Sequence, residues 1–409
     1  MTPDARLQAA IEVLAEVEAS RRPADRVLEL YFRARRYAGA KDRRAVAEGV
    51  YGVLRRRARL DWWLERLGLP GEARTRALLA ASLDGYPLDF QGAHGPSPLS
   101  DAERALAGVP AIDHPDMPEA VALECPAWLE PPLRDAFGPD FAAALRALNR
   151  PAPVDLRVNT LKATREAARA ALAAEGVEAF PTPRSPIGLR LAEPKALGSL
   201  GAFREGLVEV QDEGSQLLAL AVGAAPGMTV VDYCAGGGGK TLALGAAMGN
   251  RGRLIACDSD GRRLAKLDDR RRRAGLGIVE TWVLDGTAPD LAADRVLVDA
   301  PCSGTGTWRR APEARWRLDA AALAALRETQ GLILDRAAAL VAPGGWLIYA
   351  TCSVLAAENE DIVAAFLAAH PDFALHPVDA ATPHLRLAPH ATGTDGFFAA
   401  VLRFAANRL

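Results

Sequence analysis

The sequence predicts an α/β protein whose C-terminal half is a nucleotide-binding fold built on a mostly parallel sheet. A helical region and a smaller α/β module precede it. Three observations lead there. From about residue 212 apolar strand-like runs alternate with helical stretches, the pattern of a parallel sheet covered on both faces. The first of those strands runs into "VVDYCAGGGGKTLAL", residues 230–244, where a tight glycine turn opens a helix. Residues 5–84, by contrast, carry apolar side chains at three- and four-residue spacing with no strand signal.

Taken in order, the N-terminal stretch 1–84 contains "RLQAAIEVLAEVEA" and "DRRAVAEGVYGVLRRRARLDWWLERLG", which fit a small helical bundle. Residues 85–120 are rich in Gly, Pro, Ser and Asp and are expected to form an irregular connector. Residues 121–211 combine helices ("PPLRDAFGPDFAAALRALN", "TREAARAALAAEG") with strands at "VDLRVNT" and "FREGLVEVQ", a small α/β module. The region 212–409 then runs helix "EGSQLLALAVGA", strand "TVVDYC", helix, strand "RLIACD", arginine-rich helix and strand "VETWVLD". Strand "RVLVDAPC", a long helix, strand "GWLIYATCS", helix "ENEDIVAAFLAAH" and a late strand "FFAAVLRF" complete it.

Composition bounds the function classes. Of the 409 residues, 50% are hydrophobic and 24% charged, an ordinary globular balance that leaves room for two or three domains. There is no apolar run long enough to span a membrane and no signal-peptide pattern in "MTPDARLQAA", so a cytoplasmic protein is expected. The five cysteines form no C-x-x-C pair and the six histidines do not cluster with them, which argues against disulfides and against a metal site. A net charge of −2 excludes a uniformly basic nucleic-acid binder. Local charge is another matter: Arg33 to Arg59 holds ten Lys/Arg against two Asp/Glu, and "RRLAKLDDRRRR" (262–273) and "WRRAPEARWR" (308–317) are further basic stretches. Such stripes fit phosphate-backbone contacts, and equally fit solvated helix faces.

The glycine loop invites a phosphate-binding reading, which requires glycine six residues before Lys240; that position is Cys234. A dehydrogenase reading rests on a weak glycine pattern and leaves two strand-end cysteines without a use. The strand ends themselves carry the stronger signal. Asp232 and Cys234 precede the glycines, "LIACD" ends in Asp258, "TWVLD" in Asp285, "VLVD" in Asp299 followed by Cys302, and "LIYATC" in Cys352. An acid some twenty residues past the glycine turn suits a ribose diol, although a single aspartate there is more readily a helix cap. A nucleoside cofactor with a sulfonium methyl accommodates both the acids and the thiols.

At "VDAPCSGTGTWRRAPE" and "IYATCSVLAAENEDIV" the chain resembles the RsmB-type (Sun or Fmu) RNA cytosine-C5 methyltransferases, which use S-adenosylmethionine. The resemblance extends over nearly the whole chain, with "RRYAGAKDRRAVAEGVYGVLRR" similar to their NusB-like RNA-binding domain. It implies a Rossmann-like class I methyltransferase domain with a seven-stranded sheet, preceded by an all-α domain and a small α/β linker module. It also implies residue roles: Cys234, Ala235, Gly236, Gly237, Gly238, Gly239 and Lys240 as the cofactor loop, Asp258 as the ribose acid, Asp285 as the adenine-side acid and Asp299 beside the target base. Cys352 matches the family's nucleophile and Cys302 its product-releasing thiol, while Lys240 is expected to orient carboxylates. The family usually reads Cys-Ala-Ala-Pro-Gly-Gly-Lys at the loop; here Gly236 and Gly237 replace the second alanine and the proline.

The implied partner is RNA, with small-subunit ribosomal RNA the bacterial expectation, and the implied state a monomer without metal. The chemistry is addition of a thiolate to cytosine carbon 6, which makes carbon 5 nucleophilic enough to take the methyl group. Trp308, Trp316 and their neighbouring arginines are candidates to line the RNA, with core packing an equal account. Two other readings are a P-loop-like NTPase with "RVLVD" as its metal strand, and a non-catalytic RNA-binding scaffold for ribosome assembly.

Overall fold

Strands that bury both faces need apolar residues at every position, and the C-terminal half supplies them. The computed structural model describes residues 1–20, 22–90, 94–287, 289–378 and 382–406. They form two compact units, one of residues 1–150 with 308–319, the other of residues 151–307 with 320–409.

In the first unit, helices Pro3–Ser20, Ala24–Ala34, Ala40–Leu54, Arg57–Arg66 and Ala73–Leu83 enclose a core that includes Val13, Leu14, Val50, Leu64 and Leu78. Residues 85–120, expected as a connector, are irregular where described apart from a 3-10 helix at Glu103–Gly108 and the start of a short helix at Glu119, and contribute Leu106, Val109 and Met117 to that same core; residues 91–93 lie outside the described part. The helical stretch 42–68 is divided at Arg55 and Arg56 into two helices. The cause is a tertiary cap. The buried carboxyl group of Glu124 accepts from the backbone N–H of Ala58 (2.7 Å) at the start of the second helix and pairs with Arg59 (2.9 Å). Glu124 itself sits at φ 57°, a left-handed conformation costly for a non-glycine residue.

The charge asymmetry read along the chain is largely cancelled in space. Arg33 pairs with Glu29, Arg35 with Glu12, Arg56 with Asp84, and Arg59 with Asp113 and Glu124. Within the stretch 308–317 part of the basic-aromatic cluster packs inward. Trp308 is fully buried with the Arg315 guanidinium 4.8 Å from its ring centre, and Arg315 donates to the carbonyls of Glu124 (3.0 Å) and Leu148 (3.4 Å). Trp316 is half-buried beneath Arg57. Core packing is therefore the account that holds for Trp308 and Arg315; a sequence shows a basic-aromatic cluster but not whether it points inward.

In the second unit, β1 (Asp155–Val158), β2 (Ala179–Pro181), β3 (Gly188–Leu191) and β4 (Val208–Val210) form an antiparallel sheet in the order β2-β3-β1-β4. Its core is built from Leu156, Leu172, Leu189 and Val208. The short strands β2 and β3 carry too few residues to show a period in the sequence.

The main sheet comprises β5 (Thr229–Asp232), β6 (Arg253–Asp258), β7 (Val279–Val283), β8 (Ala293–Asp299), β9 (Val341–Thr351), β10 (Phe373–His376), β11 (Leu385–Leu387) and β12 (Phe397–Phe404). Its order is β10-β12-β9-β8-β5-β6-β7, with β11 as an eighth strand on β12. Strands β5 to β9 are mutually parallel, and β10, β11 and β12 join antiparallel. Alternate residues feed two cores: Val231, Ile255, Val298 and Tyr349 on one face, Val230, Leu254, Leu297 and Ile348 on the other. The chain reverses its direction of strand addition at β5, between β6 and β8, and a crevice opens beyond the carboxyl ends there. Among the described residues no helix is long and apolar enough to cross a membrane.

Replacing Glu124 by alanine strips a cap and leaves the Arg59 charge without its buried partner. The expected loss is roughly 2–4 kcal/mol, read as a lowered urea midpoint of the helical unit with the signal of the other unit unchanged.

Candidate active site

The glycine turn decides where the second unit can hold a ligand. Gly238, at φ 81°, caps the helix Gly239–Ala247, and a Cβ there would come within 2.2 Å of Leu267, so only glycine fits. Three loop N–H groups are used within the protein: Ala235 donates to the carbonyl of Cys257 (2.8 Å), Gly236 to Asp258 Oδ2 (2.8 Å) and Gly238 to the carbonyl of Ala235 (2.8 Å). Lys240 donates from Nζ to Asp299 Oδ2 at 2.7 Å. A phosphate would thus not find the free lysine that the NTPase reading needs.

Beyond the strand ends lies a cavity of about 680 Å³, lined by Cys234, Asp258, Asp299, Cys302 and Cys352 among others. The structure thus brings together residues from the ends of β5, β6, β8 and β9. Ala235, Gly236, Gly237, Gly238, Gly239 and Lys240 are not part of its wall; they form the turn behind Cys234, with Lys240 reaching the wall through Asp299. Asp285 does not line the cavity. It is exposed and accepts from Thr287 Oγ1 (3.0 Å), while its neighbours Leu284, Gly286 and Thr287 supply the lining. Arg263, Ile333 and Arg336 complete the wall, and neither composition nor spacing distinguished them from other helix residues.

Electrostatics follow from burial. Asp232, fully buried behind the loop, is pushed up to about 7 by desolvation; a hydrogen bond from Thr241 opposes this and the charge of Asp299 adds to it. For Lys240 burial works against the charged form, but Asp299, by charge and hydrogen bond, more than offsets it and holds the amine above its ordinary value. Cys302 and Cys352 lie with their sulfurs 3.3 Å apart. The hydrogen bond to Cys352 and then burial hold the Cys302 thiol well above the usual range, the nearby charge of Glu358 adding to both. Cys125 and Cys257 are buried, and desolvation pushes each thiol up to about 12, the behaviour of small core hydrophobes. Cys234 differs from those two in lining the cavity.

The helix 261–274, basic in sequence, is a strut in the fold. Arg262, Arg263, Arg271 and Arg272 pair with Asp260, Asp258, Asp268 and Asp269, while Arg270 and Arg273 both grip Glu209 of β4. Arg270 also donates to the carbonyl of Gly237. The loop that lacks the family's proline is thereby tied down by a side chain from the next helix.

The size of the cavity suits one small molecule. Asp258 and Asp299 offer acceptors for hydroxyl and amine groups, and Leu284 and Ile333 offer apolar surface to a flat ring. That donor set fits a nucleoside carrying an amino-acid tail, which describes S-adenosylmethionine. A doubly wound sheet with strand-end acids around such a cavity defines a class I S-adenosylmethionine-dependent methyltransferase. Among the described residues no cluster of His, Cys, Asp and Glu could hold a metal ion.

Comparison with known proteins narrows the class. Residues 219–403 match the family model of the 16S rRNA methyltransferase RsmB/F, and residues 125–197 match the ferredoxin-like domain of RsmF/B-like methyltransferases. Ribosomal RNA small subunit methyltransferase B of Sodalis glossinidius is 34% identical over 400 residues, spanning 88% of this chain and 89% of that protein. The crystal structure of PH0851 superposes with a TM-score of 0.81 at 29% identity, covering 98% of this chain and 99% of that one. NSun6 from Pyrococcus horikoshii, solved with SFG, shares the fold at a TM-score of 0.62 and 22% identity over 69% of this chain and 99% of its own. The chain belongs to the RsmB/F family of rRNA methyltransferases.

The raised Asp232 carboxyl predicts a pH signature. Unfolded, it ionises near 3.8, and folded, near 7. Between those values the folded chain holds a proton that the unfolded chain has lost, so this group's stabilisation declines as pH rises from about 4 to about 7. Asp232→Asn should flatten that part of the wild-type stability curve, measured by denaturant melts at half-unit pH steps.

Proposed function

We propose that this protein is an S-adenosylmethionine-dependent small-subunit rRNA methyltransferase that modifies carbon 5 of cytosine through a covalent thiol adduct. The observation that carries the reading is the pair of thiols, Cys302 and Cys352, whose sulfurs stand 3.3 Å apart at the ends of neighbouring parallel strands, on the wall of the cofactor cavity. One thiol suffices for addition to the ring; a second beside it suits a reaction that must also remove a proton before the first can leave.

The two sulfurs share a hydrogen bond in which either can be the donor, and the Thr-Cys motif of the family resemblance is what distinguishes them. We assign attack on carbon 6 to Cys352. Asp299, held in place by Lys240, lines the same cavity as both thiols, and we assign it to hydrogen-bond the pyrimidine edge and stabilise the adduct. Bound S-adenosylmethionine supplies the electrophilic methyl group. Once the Cys352 sulfur is bonded to carbon, it no longer carries the charge that kept the neighbouring thiol protonated. Cys302 then gives its proton to solvent and, as a thiolate, takes the proton from carbon 5 as a general base while the carbon 6–sulfur bond breaks and Cys352 departs as a thiolate. Asp258 is assigned to the ribose, Cys234, with the glycine turn behind it, to the methionine end, and Asp285, next to the lining residues Leu284 and Gly286, to the adenine side.

The target base must leave its stack to reach a cavity of this depth, so unpaired or flipped cytosine is the expected substrate. With labelled S-adenosylmethionine and small-subunit rRNA from cells lacking the protein, the wild type should give 5-methylcytosine. Cys352→Ala should give none, and Cys302→Ala should leave a protein–RNA adduct that survives denaturing electrophoresis. Label at another atom, or full activity of Cys352→Ala, would overturn the assignment; an adduct trapped on Cys302 would reverse the two roles.

A further inference from the structure

The turn that follows the Thr-Cys motif carries two consecutive buried polar residues, Glu358 and Asn359, that the roles assigned above leave unused. Glu358 is fully buried and Asn359 is 2% exposed. Burying a carboxyl group is costly unless its oxygens are satisfied, and no ion pair serves Glu358 among the described residues. Its Oε1 accepts from the backbone N–H of Ser303 (2.8 Å) and from Nε2 of Gln330 (2.9 Å), and its Oε2 accepts from the Ser303 hydroxyl. Gln330 also donates to the carbonyl of Pro301 (2.9 Å). Both neighbours of Cys302, residues 301 and 303, are thus anchored to Glu358 either directly or through one amide.

Asn359 does the same for the other thiol. Its Oδ1 accepts from Thr351 Oγ1 (2.6 Å) and its Nδ2 donates to the carbonyl of Ser353 (3.0 Å), the two neighbours of Cys352. The turn itself is pinned by the Tyr349 hydroxyl, which donates to the carbonyl of Glu358 (2.7 Å). We propose that Glu358 and Asn359 are positioning residues which, being adjacent in the chain, act as one spacer: Glu358 fixes the Cys302 loop, Asn359 fixes the Cys352 turn, and together they set the distance between the two sulfurs. This rests on the two-thiol reading above.

The two residues act on different steps, and the test exploits that. Full-length protein is assayed with S-adenosylmethionine and small-subunit rRNA from cells lacking the protein, following kcat, KM and covalent adduct, with Cys302→Ala and Cys352→Ala as references. Because misplacing a reacting group by about 1 Å can cost about a hundredfold, Glu358→Ala is expected to lower kcat by roughly 10- to 100-fold with no rise in KM for either substrate. It should accumulate adduct as Cys302→Ala does. Glu358→Gln retains an acceptor for the Ser303 N–H and should recover most of the rate. Asn359→Ala should lower kcat without adduct and, placed in the Cys302→Ala background, should diminish the adduct that background traps.

Wild-type kcat in both alanine variants, a loss confined to KM, or identical adduct levels in the two would overturn the spacer role. If Glu358→Ala does not fold, as judged by thermal melting and cofactor binding, Gln330→Met decides, since it cuts only the tether to Pro301. It should show a smaller accumulation of adduct, and its absence counts against the proposal. Failure of Cys302→Ala to trap any adduct would sink the two-thiol reading and this inference with it; trapping there with a silent Glu358→Ala sinks the inference alone.

Discussion

The approach of two sulfurs to 3.3 Å is the constraint on which the rest of the site depends. Thiols on flexible loops would not hold that separation, because each loop would carry its own conformational freedom. Here they inherit it from β8 and β9, parallel neighbours whose ladder aligns Asp299 with Ala350 and so delivers both strand ends at one level. Beyond the ladder the backbone continues the match: Gly306 donates its N–H to the carbonyl of Cys352 (2.9 Å). Side chains then finish the alignment, with Thr305 and Ser353 sharing a hydrogen bond of 3.0 Å between the two loops.

The same economy governs charge. The acids around the cavity and behind its loop are not left to repel one another: Lys240 takes Asp299, Gly236 and Arg263 take Asp258, and burial shifts Asp232 toward its neutral form. The arginine-rich helix is part of this balance. Through Glu209 it ties the four-stranded module to the cofactor loop, so a segment that looks in sequence like an RNA-binding stripe serves inside the fold as a brace. A loop of four consecutive glycines has a high entropy cost of ordering, and a guanidinium fixed on both sides offsets part of it.

Basic residues of the helical unit show how a one-dimensional charge count misleads. The excess between Arg33 and Arg59 is met by Glu12, Glu29, Asp84, Asp113 and Glu124, all outside that stretch. What remains for an RNA backbone is set by the exposed side chains that these pairs leave over, such as Arg36 and Lys41. The tryptophans after the Pro-Cys motif make the same point, since Trp308 is core.

By itself the sequence determined the main sheet, because strands buried on both faces must be apolar throughout and must alternate with helices of opposite periodicity. It also placed the acids and thiols at strand ends, where chain order alone puts them at one edge of a parallel sheet. It could not yield β2, β3, β10 and β11, which are too short to show a period, nor the break after Leu54, which is made by Glu124 from seventy residues away in the chain. Tertiary structure alone decided which acids face the cavity, turning Asp285 outward onto Thr287 and bringing Arg263 and Arg336 in. It alone gave Glu358 and Asn359 their place between the two thiols. Pairing and burial are properties of residues distant in the chain, and a linear pattern records neither.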